Sequence, residues 1–248
     1  MRTNQVLRVS LDGSARVEPV ILALPTAQGP TTNHHGAGLA RCGEYLYVST
    51  SDGDSLRGRV TVGSQRAAER ARAQLPNSGF GQIMRWRFEG IDLVPDGVFG
   101  AEYPSFAMGL RNPFGIGCDP ETGYALVADN GEGGHDQVRL AEPGSNHGWP
   151  TTFERYEVVA PWFDTRASTI APKGIVGRPD HPDRVIISAF RSQAIYEVTV
   201  DRQRGDTIAI RLLTEVEGGA YAVAAAPDGC IYFTDVGSLW RLQEPGCE

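Results

Sequence analysis

The chain has 248 residues, 41% hydrophobic and 21% charged, a balance that sustains a packed core and excludes a disordered resting state. Its 23 basic and 30 acidic residues leave a net charge of −7, which disfavours nucleic acid as the main partner because phosphate binding asks for a basic face. No apolar run approaches the roughly 20 residues of a membrane span, and the opening "MRTNQVLRVSLDG" has no secretory apolar segment from which export could be read.

Taken in chain order, the elements repeat. "NQVLRVSLDG" (4–13) alternates apolar and polar positions and ends in a turn, the pattern of a half-buried antiparallel strand. "RCGEYLYVSTSD" (41–52) is a turn followed by an apolar strand that ends on aspartate. "SQRAAERARAQL" (64–75) breaks the rhythm and predicts a short helix inside a loop insertion over 55–79. "GQIMRWRFEG" (81–90) restates the first strand, "CDPETGYALVAD" (118–129) the second and "HDQVRLAEPG" (135–144) the first again. "SQAIYEVTVD" (192–201), "APDGCIYFTD" (226–235) and "GSLWRLQEPG" (237–246) continue the alternation. A turn-strand-Asp unit followed by a Gln-apolar-x-Arg strand predicts successive blades of a β-propeller, so the fold expected over 1–248 is a single all-β domain. A β-sandwich with irregular loops is the alternative. The chain opens on the Arg-bearing strand, so the inner strands of a first blade are expected to be missing along with upstream sequence. That leaves roughly four complete blades and a partial first one.

The four cysteines, Cys42, Cys118, Cys230 and Cys247, form no CxxC pair, which removes the usual zinc pattern. Disulfides and buried free thiols both remain open. Around the turns sit the chemically capable residues. His34 and His35 precede a glycine-rich turn; with the acids ending the next strand they could be a proton-abstracting base and its partners, since imidazole titrates near neutral pH, a metal site, or polar residues of an exposed loop. Asp52 ends the next strand and is a candidate partner for that ring. Arg111-Asn112 sets a cation beside an amide, suited either to stabilising negative charge on a bound group or to an inter-blade salt bridge. "DNGEGGHD" (129–136) is compatible with calcium, which prefers oxygen ligands, but it matches no EF-hand spacing and such a stretch is more often a solvated turn. Trp149 could stack on a ring or close a blade.

Read together, the motifs resemble those of the soluble pyrroloquinoline-quinone (PQQ)-dependent aldose dehydrogenases, the glucose/sorbosone dehydrogenase family of six-bladed propellers. The family's H-x-G-G-x-L is similar to His34 to Leu39, and its G-D to Ser51-Asp52. A-Q-x-L-N-S resembles Ala73 to Ser78, and G-H-R-N-P-Q-G resembles Gly109 to Gly115. E-H-G-P-x-G-G-D-E is similar to Asp129 to Gln137, P-G-x-N-Y-G-W-P to Pro143 to Pro150, T-x-A-P-S-G to Thr169 to Gly174, and P-D-G-x-I-Y-x-x-T-D to Pro227 to Asp235. The shared order spans residues 5 to 242.

The resemblance implies oxidation of an aldose sugar at its anomeric carbon, with PQQ as cofactor and an external electron acceptor; no nucleic acid and no membrane span are expected from the charge and the apolar runs above. It implies that His34 is the general base, Asp52 its carboxylate partner and Arg111 the electrostatic catalyst, His35 being incidental. Gln74, Arg111, Asn112, Asn130, Thr169 and Arg191 would bind the cofactor, and the backbone carbonyls of Gly131 and Glu132 would hold Ca2+. Periplasmic or secreted residence also follows from the resemblance alone. Two departures stand out. The family's R-x-R cofactor clamp falls on Gly219-Ala220-Tyr221, and the aspartate before the base is Asn33. These departures favour, as an alternative, a non-catalytic propeller that binds carbohydrate or protein. A metal-dependent lactonase is a third reading, for which the sequence supplies no obvious carboxylate cluster.

Overall fold

The computed structural model describes residues 4–11, 16–24, 34–36, 38–53, 71–99, 103–150 and 157–247. Every strand pairing within them is antiparallel, and all but one join sequence neighbours. β1 (Asn4–Val9) pairs with β2 (Val17–Leu24). β3 (Leu39–Cys42), β4 (Tyr45–Thr50), β5 (Gln82–Glu89) and β6 (Asp92–Pro95) form a second sheet, and β7 (Ser105–Ala107) also joins it at β5. β8 (Pro113–Cys118), β9 (Ala125–Asp129), β10 (Gln137–Ala141) and β11 (Phe163–Asp164) form a third. β12 (Pro172–Arg178), β13 (His181–Ala189), β14 (Ala194–Asp201) and β15 (Asp206–Glu215) make the fourth; β16 (Ala222–Ala225), β17 (Ile231–Thr234) and β18 (Leu239–Arg241) make the fifth. No helix among the described residues is long and apolar enough to cross a membrane. The helix expected over 64–75 lies mostly outside the described residues, as do positions 55–70 of the insertion; a single 3-10 turn, Arg72–Gln74, is seen at its end.

The sheets stack face to face in chain order, and a separate apolar core fills each gap. Val6 packs with Leu46, Val48, Met84 and Trp86 between the first two sheets. Tyr47, Ile83 and Phe106 meet Ala125 and Val127 in the next gap. Leu126 and Val138 meet Ile175, Val185, Ile187 and Val198 in the third, and Ile186 and Ile195 meet Ile231 and Phe233 in the fourth. Covered on both faces, β9 reads "ALVAD" without polar alternation and is buried throughout. Each large side chain so buried contributes about 1.5–3 kcal/mol. The inner strands β3, β8, β12 and β16 lie side by side.

Strand register decides where the chemistry collects. Leu39 pairs with Val48, Pro113 with Asp129, Pro172 with Ala189 and Ala222 with Thr234. The start of each inner strand therefore meets the end of the next strand, and the loops at those positions gather at one end of the stack. The cysteines are disulfide-bonded rather than free. Cys42–Cys118 joins the last residues of β3 and β8, at the end away from those loops, and Cys230–Cys247 ties the residue before β17 to the C-terminal segment.

Candidate functional site

His34 and Asp52 meet at the loop end. Gly36 has a φ of +78°, and a Cβ there would lie 2.8 Å from the Thr50 and Ser51 backbone, so glycine alone lets the loop press against the end of β4. His34, itself left-handed at φ 57°, is thereby held over Asp52, with Nδ1 2.8 Å from Oδ1. Asp52 is fully buried, and its second oxygen accepts the Trp149 indole N–H at 2.9 Å. A carboxylate only accepts, so Nδ1 carries the proton and the Nε2 lone pair is left as the basic position. The role of Trp149 as the third member of this chain was not anticipated. Tryptophan's one N–H donor was the only signal for it.

Arg111 lies two residues before β8, the first strand of the adjoining sheet. Its carbonyl accepts from the Asp52 amide at 2.8 Å, and its guanidinium lies 5.5 Å from the Trp149 ring centre. Nη1 donates to the carbonyl oxygens of Asn130 (2.9 Å) and Gly131 (3.1 Å), while Nε is buried with no hydrogen-bond partner among the described residues. The amides of Arg111 and Asn112 donate to Asp129, at 3.1 and 2.7 Å. Burial pushes the Asp129 carboxyl above its usual range, against the pull of those amides and the Arg139 charge. Asn112 accepts from Ser51 at 2.7 Å, and its Nδ2 makes no hydrogen bond among the described residues. Asn130 donates its amide to the Pro172 and Asn112 carbonyl oxygens.

Other predicted residues turn their polar groups inward. Gln74 is buried, donating to Asn146 Oδ1 (3.0 Å) and the Trp149 carbonyl (2.7 Å) and accepting from Asn146 Nδ2 (2.9 Å). It holds the Trp149 loop and presents no open donor. The Thr169 hydroxyl donates to Asp136 Oδ2 at 2.7 Å, so it too is committed within the protein. Arg191 is exposed beside Phe190. The carbonyls of Gly131 and Glu132 do not fit a calcium ion as arranged. The first already accepts the Arg111 cation and the second the His135 amide at 3.3 Å. Nor is there a cluster of three metal-ligating side chains among the described residues. A cleft of ≈ 400 Å³ opens beside Arg111 and Trp149, lined further by Glu132, His135 and Asp164; His34 and Asp52 do not line it. Asn33 lies outside the described residues.

Antiparallel sheets stacked in chain order, with the polar clusters gathered on one loop-built end, define a β-propeller carrying a histidine–carboxylate site. The chain belongs to the glucose/sorbosone dehydrogenase family, whose sequence model matches residues 1–241. It is similar to the aldose sugar dehydrogenase YliI of Escherichia coli K12, at 24% identity over 229 residues, covering 82% of this chain and 57% of that protein. The chain thus spans little more than half the length of that curated relative. An oxidoreductase (glucose dehydrogenase) from Thermus thermophilus has a similar structure, with a TM-score of 0.74 at 26% identity over 94% of this chain and 69% of the other. The PQQ-bound aldose sugar dehydrogenase of Streptomyces coelicolor shares the fold, with a TM-score of 0.71 at 20% identity over 99% of this chain and 70% of the other.

Proposed function

We propose that this chain oxidises an aldose at its anomeric carbon, with PQQ as cofactor and His34 as the base. The observation that carries the reading is the run Trp149–Asp52–His34, which leaves one imidazole nitrogen basic and orients it from behind. His34 Nε2 takes the anomeric hydroxyl proton, and Asp52 stabilises the imidazolium that results. When bound, PQQ supplies the two-electron sink for the C1 hydride, so the sugar leaves as its lactone. Two features of the chain fit a planar dicarbonyl group: the buried, unpaired Arg111 Nε and the uncommitted Asn112 Nδ2. A ligand oxygen would satisfy a donor that otherwise costs about 1–3 kcal/mol to leave unpaired. We read the stacked sheets as propeller blades, and the two disulfides favour an oxidising setting, periplasmic or secreted.

The test is dye reduction by the purified chain with PQQ and a panel of aldoses, comparing wild type with His34→Ala. We expect a sugar-dependent rate that the substitution lowers on the order of 10²- to 10⁴-fold, with PQQ affinity unchanged. An active His34→Ala would overturn the base assignment. The second reading, a non-catalytic propeller binding carbohydrate or protein, is favoured by the uncharged residues Gly219 and Tyr221 where the family's cofactor cations would stand. Sugar binding without any rate would support it.

A further inference from the structure

Lys173, second residue of β12, sits at the same end of the stack. The carbonyl of Pro172 accepts from Asn130, whose own carbonyl accepts from Arg111, and Phe114 follows Asn112 by two residues. The Lys173 ammonium lies 3.6 Å from the centre of the Phe114 ring and 5.8 Å from that of Phe190. Among the described residues it has no carboxylate and no hydrogen-bond partner. Burial holds it below the usual lysine range. A half-buried cation with no counter-ion is unfavourable, and an incoming anion relieves that cost.

The surroundings suit a flat anion. Phe114 is 42% exposed, Phe190 38% and Tyr221 39%, and the last two rings stand 5.2 Å apart. Exposed rings at a polar loop end offer faces to an aromatic ligand. No side chain can enter from position 219: with φ at +91°, a Cβ there would lie 2.6 Å from the Phe190 ring and 2.5 Å from its carbonyl oxygen. The Arg111 Nη1 is committed to two backbone carbonyls, whereas the Lys173 ammonium has no hydrogen-bond partner among the described residues.

We propose that Lys173 is the carboxylate anchor of the cofactor pocket, receiving a carboxylate of PQQ while Phe114, Phe190 and Tyr221 flank the ligand. This rests on the quinone-cofactor reading above. The experiment is equilibrium titration of the full chain with PQQ and, separately, with its trimethyl ester, followed by calorimetry. Lys173→Met should weaken PQQ binding roughly thirty-fold or more, about 2 kcal/mol, and Lys173→Arg should restore most of it. Wild type should prefer the triacid to the ester, and Lys173→Met should lose most of that preference. Equal PQQ binding by wild type and Lys173→Met overturns the anchor and leaves the cofactor reading intact. Equal binding of acid and ester by wild type overturns the anchor without any variant. A wild type that binds no PQQ overturns both.

Discussion

At Trp149 a single indole N–H reaches 2.9 Å to Asp52, and the same residue's carbonyl is gripped by Gln74. Its side chain thus orients the partner of the base, while its backbone fixes the loop that delivers it. Two positions earlier, His147 shows how a buried ring can be held neutral. Arg139 donates to Nδ1 at 3.3 Å. Nε2 donates to Ser145 Oγ at 3.3 Å, and that hydroxyl's own proton goes to the Glu142 carbonyl at 2.9 Å. Burial, aided by the Arg139 charge, holds His147 well below the usual histidine range. The unfolded chain therefore gains a proton below about pH 6.5 that the folded chain refuses. Stability is kept above that pH and lost as pH falls through it. Between pH 7.5 and 5.5 the loss from this group is about 1.4 kcal/mol. His147→Gln, unable to titrate, should start less stable at pH 7.5 yet lose that much less on acidification. Urea unfolding at both pH values checks this, and an unchanged difference would reject it.

At the scale of elements, one buried carboxylate organises two loops. Asp136 Oδ2 accepts from Thr169 Oγ1 and from the amides of Ile170 and Ala171, at 2.7 to 2.9 Å, and Oδ1 accepts from the Gly131 amide at 3.2 Å. The entry to β12 is thereby clamped to the loop after β9. Asp136→Asn would turn an amide NH2 toward these donors and should cost about 2–4 kcal/mol in chemical denaturation, at ~1–3 kcal/mol per donor stranded. A variant as stable as wild type would remove Asp136 from that role. The strands themselves were legible because their alternation and turn residues are local. The repeated Gln-apolar strands became β1, β5, β10, β14 and β18, and the units ending on Asp52, Asp129 and Asp235 became β4, β9 and β17. β13 ends on Ala189, and without that aspartate the repeat did not disclose it. Side-chain direction was not legible. Gln74 and Thr169 carry the donors that a cofactor site needs, but Asn146 and Asp136, 72 and 33 residues away, take them first. The His34–Asp52 pair was expected from the family resemblance rather than from local pattern; the contact spans 18 residues and depends on Gly36 letting the loop press against the end of β4.

Across the whole molecule, the two sheets that supply His34 and Arg111 are fastened to each other at the opposite end by Cys42–Cys118. The bridge closes a loop of 76 residues, which on chain-entropy grounds stabilises the fold by about 4.5 kcal/mol. The double variant Cys42→Ser/Cys118→Ser should unfold at lower urea, losing roughly 2–5 kcal/mol. Loss under ~0.5 kcal/mol would mean that packing between the sheets already does the fastening. The same bridge makes the history of a preparation part of its chemistry. Material produced in a reducing compartment should react as four thiols in a thiol assay, melt early and recover on oxidative refolding. Thiol content is therefore the quantity to record before two batches are compared for activity.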